Sequence, residues 1–203
     1  MNAAAVIQTV GLSKRYGRTG QFALADLNLT VHKGEVFGYL GPNGAGKTTT
    51  IRMLLDFIRP TAGKAYVLGM DAQKQSLEIR RRIGFLPGEL SLWENQTGWQ
   101  IINYMSALRG NVQHAYVNQL IERLAFDPSK VMRSYSTGNK RKLGLILALM
   151  HQPELLILDE PTSGLDPLMQ QTFHQLVREA QARGATVFLS SHILSEVQAI
   201  CER

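Results

Sequence analysis

The 203-residue sequence predicts an α/β fold: a core of buried strands and helices, an antiparallel β layer, and an α-helical lobe inserted into the core. Three observations carry this. A glycine-rich stretch, residues 41 to 49, stands between the short apolar run Val36 to Leu40, suited to a buried strand, and the segment Thr49 to Phe57, whose apolar residues recur at helical spacing. Residues 5 to 12 and 23 to 31 alternate apolar and polar side chains, Leu24, Leu27, Leu29 and Val31 among them, as strands of an antiparallel layer do. Between residues 90 and 150 the period becomes helical, from Trp99 to Leu108 and again from Ala115 to Leu124, broken by Arg109-Gly-Asn111.

The glycine-rich stretch has a defined chemistry. Gly41, Pro42, Asn43, Gly44, Ala45, Gly46, Lys47, Thr48 and Thr49 fit G-x-x-x-x-G-K-S/T, the phosphate-binding loop, so the core is that of a P-loop nucleoside triphosphatase. Glycines 41, 44 and 46 let successive N–H groups point into one concavity that holds phosphate oxygens. The helix that follows adds its free N-terminal donors and the positive end of its dipole. Lys47 is expected to reach the β- and γ-phosphates, and the Thr48 hydroxyl to ligate magnesium.

The totals bound what else the chain can be. At 44% hydrophobic it can bury one full core with a smaller lobe, with residues 1–89 and 151–203 forming the core and 90–150 the helical subdomain. Lys plus Arg outnumber Asp plus Glu by 22 to 16, which suits an anionic partner: nucleotide, nucleic acid or an acidic membrane surface. A single cysteine, Cys201, excludes an internal disulfide framework and reads as a core residue of the last helix. The start lacks a basic n-region with a sustained apolar core, and the longest apolar run, Leu143 to Met150, is far short of a membrane span. A soluble chain is expected, with any membrane role supplied by a partner.

The remaining elements follow in order. Tyr16, in Lys14 to Arg18, is either a surface aromatic or a platform on which a purine stacks. Arg59 to Gly63 is a turn, Ala65 to Gly69 a strand, and Arg80-Arg-Arg82 ends a polar helix as a solvated face. Ile83 to Leu86 is a short strand stopping at Pro87-Gly88. Leu155 to Leu158 runs straight into Asp159-Glu-Pro161, so a buried strand delivers carboxylates to its C-terminal edge. Asp159 is placed to hold magnesium through water and Glu160 to accept a proton from an attacking water, although in isolation the pair also reads as a helix-capping turn. A helix from Pro167 to Arg183 and a strand from Thr186 to Ser190 follow. They bring His192 to the same edge, where it could hydrogen-bond a γ-phosphate. His32, His114, His151 and His174 fall on expected helices or turns and are read as ordinary structural histidines.

These residues together resemble the nucleotide-binding subunit of ATP-binding cassette (ABC) transporters over nearly the whole chain, particularly a multidrug-exporter-like branch. Besides the two phosphate motifs, Tyr135-Ser136-Thr137-Gly138-Asn139 stands where the family has its signature, followed by Lys140-Arg-Lys142. Ser163-Gly-Leu-Asp166 resembles its D-loop, and Ser190-Ser-His192 its histidine switch. The resemblance implies an ATPase using ATP and Mg2+, with Tyr16 stacking on adenine and Glu160 and His192 catalytic. It also implies a head-to-tail dimer with a second nucleotide-binding domain, identical or paralogous. In that dimer Ser136, Thr137, Gly138 and Asn139 face the ATP of the other copy, and Asp166 lies in the D-loop.

It further implies a separate integral-membrane permease at the cytoplasmic face, and no nucleic-acid partner. Leu90, Leu92, Trp93 and Trp99 are candidates for the permease groove or, equally, for packing the lobe. The chain departs from the family at Tyr135, Thr137 and Asn139. It departs again at Gly88, where most members carry glutamine and where Glu89 is the neighbouring substitute candidate. It also stops at Arg203, soon after the histidine switch, whereas the family usually continues, so the protein is either naturally short or a C-terminally truncated piece.

Overall fold

A computed structural model describes residues 4–17, 20–110 and 112–203. Arg18 and Asn111, named above, lie outside the described residues. In chain order the elements are β1 (Ala5–Arg15), β2 (Phe22–His32), β3 (Val36–Leu40), α1 (Lys47–Leu54), β4 (Ala62–Val67), β5 (Met70–Asp71), α2 (Ser76–Arg82) and β6 (Ile83–Leu86). Then come α3 (Gly98–Arg109), α4 (His114–Arg123), α5 (Thr137–Leu149), β7 (Leu155–Asp159), α6 (Pro167–Ala182), β8 (Thr186–Ser191) and α7 (Leu194–Ile200).

Two sheets form. The antiparallel one has the order β2-β1-β4-β5 and the parallel one β3-β8-β7-β6. In the parallel sheet Leu40 pairs with Ser191, Asp159 with Ser190, and Leu86 with Leu158. The C-terminal ends of all four strands are therefore level. Whatever follows each strand emerges at one edge, which is why loops from four distant parts of the sequence meet there.

The parallel strands read as continuous apolar runs because both of their faces are covered. Successive side chains point to opposite faces. Leu155, Ile157 and Phe188 join Ile51, Met53 and Leu54 of α1 and the inner face of the antiparallel sheet, including Ile7, Leu12, Val31 and Val67. Leu156, Leu158, Val187 and Leu189 join the opposite core with residues of α3 to α6. Phe188 is fully buried and stacks on Phe37 with centroids 5.7 Å apart; sealing a ring of that size from water contributes about 2–3 kcal/mol.

The lobe is set by its caps. Thr97 accepts from the Gln100 amide while the Gln100 side chain accepts from the Thr97 amide, a capping box that starts α3. Gly110 ends the helix at φ +76°, a left-handed conformation that favours glycine. Helix α5 opens beside the lobe, yet its body packs against β6, and Leu143 to Met150 lie in the core they share with β7. A boundary at residue 150 thus falls just past the end of a helix that serves both lobe and core.

Local details differ from the sequence expectations. Helix α1 spans Lys47–Leu54 and ends before Phe57, with Asp56 in a left-handed turn at φ +55°. The three arginines of α2 are not one solvated face: Arg82 forms a bidentate pair with Glu154, and Arg80 donates to the Leu55 carbonyl. Cys201 lies just past α7, half-buried against the core.

Candidate nucleotide-binding site

The phosphate loop is pinned at both ends. The Gly41 amide donates to the carbonyl of Ser191 at 3.2 Å, tying the loop to the end of β8. Gly46 caps α1 at φ +87°, and a Cβ built there would meet the Ala23 carbonyl at 2.5 Å, so only glycine lets β2 pass this close. Pro42 to Ala45 are exposed between these anchors. Thr49 is partly exposed, while Thr50 is buried with its hydroxyl on the Gly46 carbonyl. Lys47 is 7% exposed, donating to the carbonyls of Gly41 (2.6 Å) and Pro42 (3.1 Å), with its ammonium 3.5 Å from Glu160 Oε1.

Across the edge, the Thr48 hydroxyl donates to Asp159 Oδ2 at 2.8 Å, and Ser190 donates to the other oxygen of that carboxylate. Glu160 follows at φ +49°, a turn that lifts its side chain out of the strand. Its Oε2 lies 2.8 Å from His192 Nδ1. The sequence expectation sent His192 to a γ-phosphate. Here its Nδ1 is committed to Glu160, and Nε2 is the ring nitrogen left for another partner.

Gly88 lies against the same carboxylate, because a Cβ on it would sit 3.3 Å from Asp159 Oδ2. Glu89 is exposed and lines a cavity of about 400 Å³ with Thr48, Arg52, Phe85 and Asp159. The clustered oxygens of Thr48 and Asp159 are hard donors of the kind magnesium prefers, so these residues fit the ion the motif implies. Tyr16 stands in the turn after β1, about half exposed, with Lys14 Nζ 5.4 Å from its ring centre.

Ser136, Thr137, Gly138 and Asn139 form a second surface. Ser136 is the N-cap of α5 and accepts from the Asn139 amide at 3.2 Å, leaving its hydroxyl proton for an acceptor outside. Ser136 and Thr137 are exposed. They line an open concavity with Gly138, Asn139, Lys142, Gly164, Leu165 and Asp166. A Cβ at Gly138 would meet the Gly164 carbonyl at 2.7 Å, so the two turns pack backbone against backbone. Asp166 itself caps α6, accepting from the Met169 amide at 2.9 Å.

Two residues in and beside this stretch have partners that the sequence alone did not assign. Tyr135 is buried and donates to the Asp127 carbonyl at 2.7 Å, fastening the turn to the lobe. Arg141 is 5% exposed; burial lowers its pKa, and the charges of Asp159 and Glu160 oppose that shift. A signal for it existed: Arg141 stands four and eight residues before the buried Leu145 and Leu149, on the inward stripe of α5, unlike its neighbours in the basic run.

The four candidates for a partner groove separate. Leu90 and Leu92 pack onto the core, whereas Trp93 and Trp99 are exposed, and Trp93 meets Tyr104 edge to face at 5.1 Å. Among the histidines, His151 Nε2 contacts the Ile83 carbonyl at 3.1 Å.

A phosphate loop after one parallel strand, faced by acidic residues after another, defines a P-loop nucleotide-binding protein. The particular family is shown by comparison. Residues 24–163 match the model of the ABC transporter family, and the chain belongs to it. It is 40% identical to the bacitracin transport ATP-binding protein BcrA of Bacillus licheniformis, over 97% of this chain and 65% of that protein. It is 38% identical to the probable multidrug ABC transporter ATP-binding protein YbhF of Escherichia coli, over 98% of this chain and 35% of that one. It thus spans less than two thirds of either. A solved ATP-binding subunit of an ABC transporter superposes with a TM-score of 0.86 at 28% identity, covering 97% of this chain and 83% of that one. Among the described residues, no helix is long and apolar enough to cross a membrane.

Proposed function

We propose that the chain binds and hydrolyses ATP as the nucleotide-binding part of an ABC transporter, in the branch that includes multidrug and bacitracin systems. It would work at the cytoplasmic face through a membrane permease. The observation that carries this is the meeting of Lys47, Thr48, Asp159, Glu160 and His192 at one sheet edge, while Ser136 to Asn139 open elsewhere on the surface. Neither surface alone encloses a triphosphate. Two copies arranged head to tail would enclose two.

In this reading the loop amides and the α1 dipole hold the phosphates, and Lys47 exchanges its carbonyl partners for phosphate oxygens. Tyr16 offers a face to the adenine. Magnesium held by Thr48 and, through water, Asp159 would neutralise charge on the phosphates. Glu160, oriented by His192, accepts the proton of the attacking water. Glu89 is the carboxylate nearest the position where the family carries glutamine, and it could add a water-mediated contact. Ser136 and the amides at the start of α5 complete the γ-phosphate shell of the other copy. Trp93 and Trp99 fit the rim of a permease contact, with Leu90 and Leu92 as its packed base.

Complementation tests the shared site. Lys47→Ala and Ser136→Arg are each expected to abolish turnover when pure. A mixture of the two should recover part of it, because one pairing contains an intact composite site. Two variants that stay inactive when mixed, while still associating, would remove the shared site from the scheme.

A further inference from the structure

We propose that Arg141 is a positioning residue for hydrolysis, tying the helix that presents Ser136 to the loops beside the catalytic carboxylates. Its guanidinium donates to the carbonyls of Pro87 at 2.7 Å, Gly88 at 2.6 Å and, more weakly, Ser163 at 3.4 Å. These acceptors belong to the loop after β6 and the loop after β7. Arg141 forms no ion pair among the described residues. It is a buried charge whose direct partners are backbone groups of other elements, which is a costly arrangement for mere packing.

The connections run both ways from it. Toward the surface, Arg141 lies one turn inside α5 from Thr137 and Gly138, whose backbone rests on Gly164. Toward the sheet edge, the Gly88 backbone it grips lies against Asp159. The charges of Asp159 and Glu160 act on the guanidinium without touching it. A fork that binds two consecutive carbonyls fixes the orientation of the peptide between them, which a single ammonium cannot do. A second copy seated on residues 136 to 138 would thus bear on a helix that Arg141 ties to Gly88, whose backbone lies beside Asp159.

The inference rests on the ATPase reading, and the experiment separates the two. Arg141→Met keeps the bulk and removes every donor; Arg141→Lys keeps the charge but not the fork. For Arg141→Met, kcat is expected to fall about tenfold while KM for ATP moves less than about twofold, since ground-state contacts are untouched. Arg141→Lys should fall in between. In the nucleotide-free protein, amide exchange at residues 88–90 and 163–166 should quicken about tenfold in Arg141→Met, because two loops lose their anchor. If Arg141→Met does not fold, Arg141→Lys carries the same comparison. Wild-type kcat and exchange in a folded variant overturn the proposal. So does a fall in melting temperature with kcat per folded molecule unchanged, which is the mark of packing alone. A wild-type protein without ATP turnover instead overturns the ATPase reading, while the exchange measurement still tests the tether.

Discussion

His192 Nδ1 lies 2.8 Å from Glu160 Oε2, joining the end of β8 to the end of β7, while the other oxygen of that carboxylate lies 3.5 Å from the Lys47 ammonium. The base proposed for hydrolysis is thus held between two cationic or proton-donating groups, one at the start of α1 and one just past β8. Occupation of the loop by phosphate would draw Lys47 away and leave Glu160 to His192 and water. Glu160→Gln keeps the shape and loses the base. Turnover is expected to drop about 10²–10⁴-fold with ATP affinity within about threefold, by phosphate release against nucleotide titration. Wild-type phosphate release in that variant would sink the assignment.

Gly138 is expected to tolerate no side chain without loss of function. Even Gly138→Ala places a Cβ 2.7 Å from the Gly164 carbonyl, a backbone atom that cannot swing aside. A stability cost of about 1–3 kcal/mol is expected from overpacking. Gly138→Asp adds a carboxylate facing the neighbouring phosphate. ATP binding by the monomer should be unchanged in both, while ATP-dependent dimers, followed by light scattering, should be lost. Dimers of normal strength in Gly138→Asp would count against a shared site.

Trp93 is 52% exposed and its indole meets only the edge of Tyr104 among aromatic neighbours described. Trp93→Ala is expected to cost within about 1 kcal/mol of stability and to leave the isolated chain's ATP turnover unchanged. Co-purification with its membrane subunit, or stimulation by it, should weaken. A stability loss above about 3 kcal/mol in urea titrations would show that the ring packs the lobe instead.

His151 makes folding sensitive to acid. Burial, reinforced by the nearby Arg109 charge, lowers its pKa from 6.5 to about 4, and its Nδ1 has no partner. Below pH 6.5 the unfolded chain takes up a proton that the folded chain refuses. Stability is therefore lost as pH falls from about 6.5 toward about 4, by about 3 kcal/mol across the window. His151→Gln should flatten that part of a urea-midpoint profile against pH, and an unchanged slope would show that other groups set it.

Local order was legible. The alternation at 5–12 and 23–31 corresponds to β1 and β2, the apolar runs at 36, 83, 155 and 186 to the four parallel strands, and the phosphate loop lies between β3 and α1. Each of these depends on residues a few positions apart, and a repeat of two or 3.6 needs no knowledge of the rest of the chain. The Asp159-Glu160 edge was legible for the same reason: a run of four apolar residues, Leu155 to Leu158, leads directly into it. The ambiguity of Leu90, Leu92, Trp93 and Trp99 was not resolvable that way, because apolar residues at irregular spacing do not reveal which of them finds a core.

What the amino-acid order determined, then, was which segments become strands and helices and which of them carry groups suited to phosphate. What only tertiary structure decided was who meets whom: His192 with Glu160 across 32 positions, Arg141 with Pro87 across 54, Gly138 against Gly164. Those pairings arise because parallel strands must lie level to complete their hydrogen bonds, which brings their loops to one edge. They also require α5 to turn an arginine inward, toward the carbonyls of Pro87 and Gly88. Distances of that kind are fixed by packing between elements, and packing leaves no period along the chain.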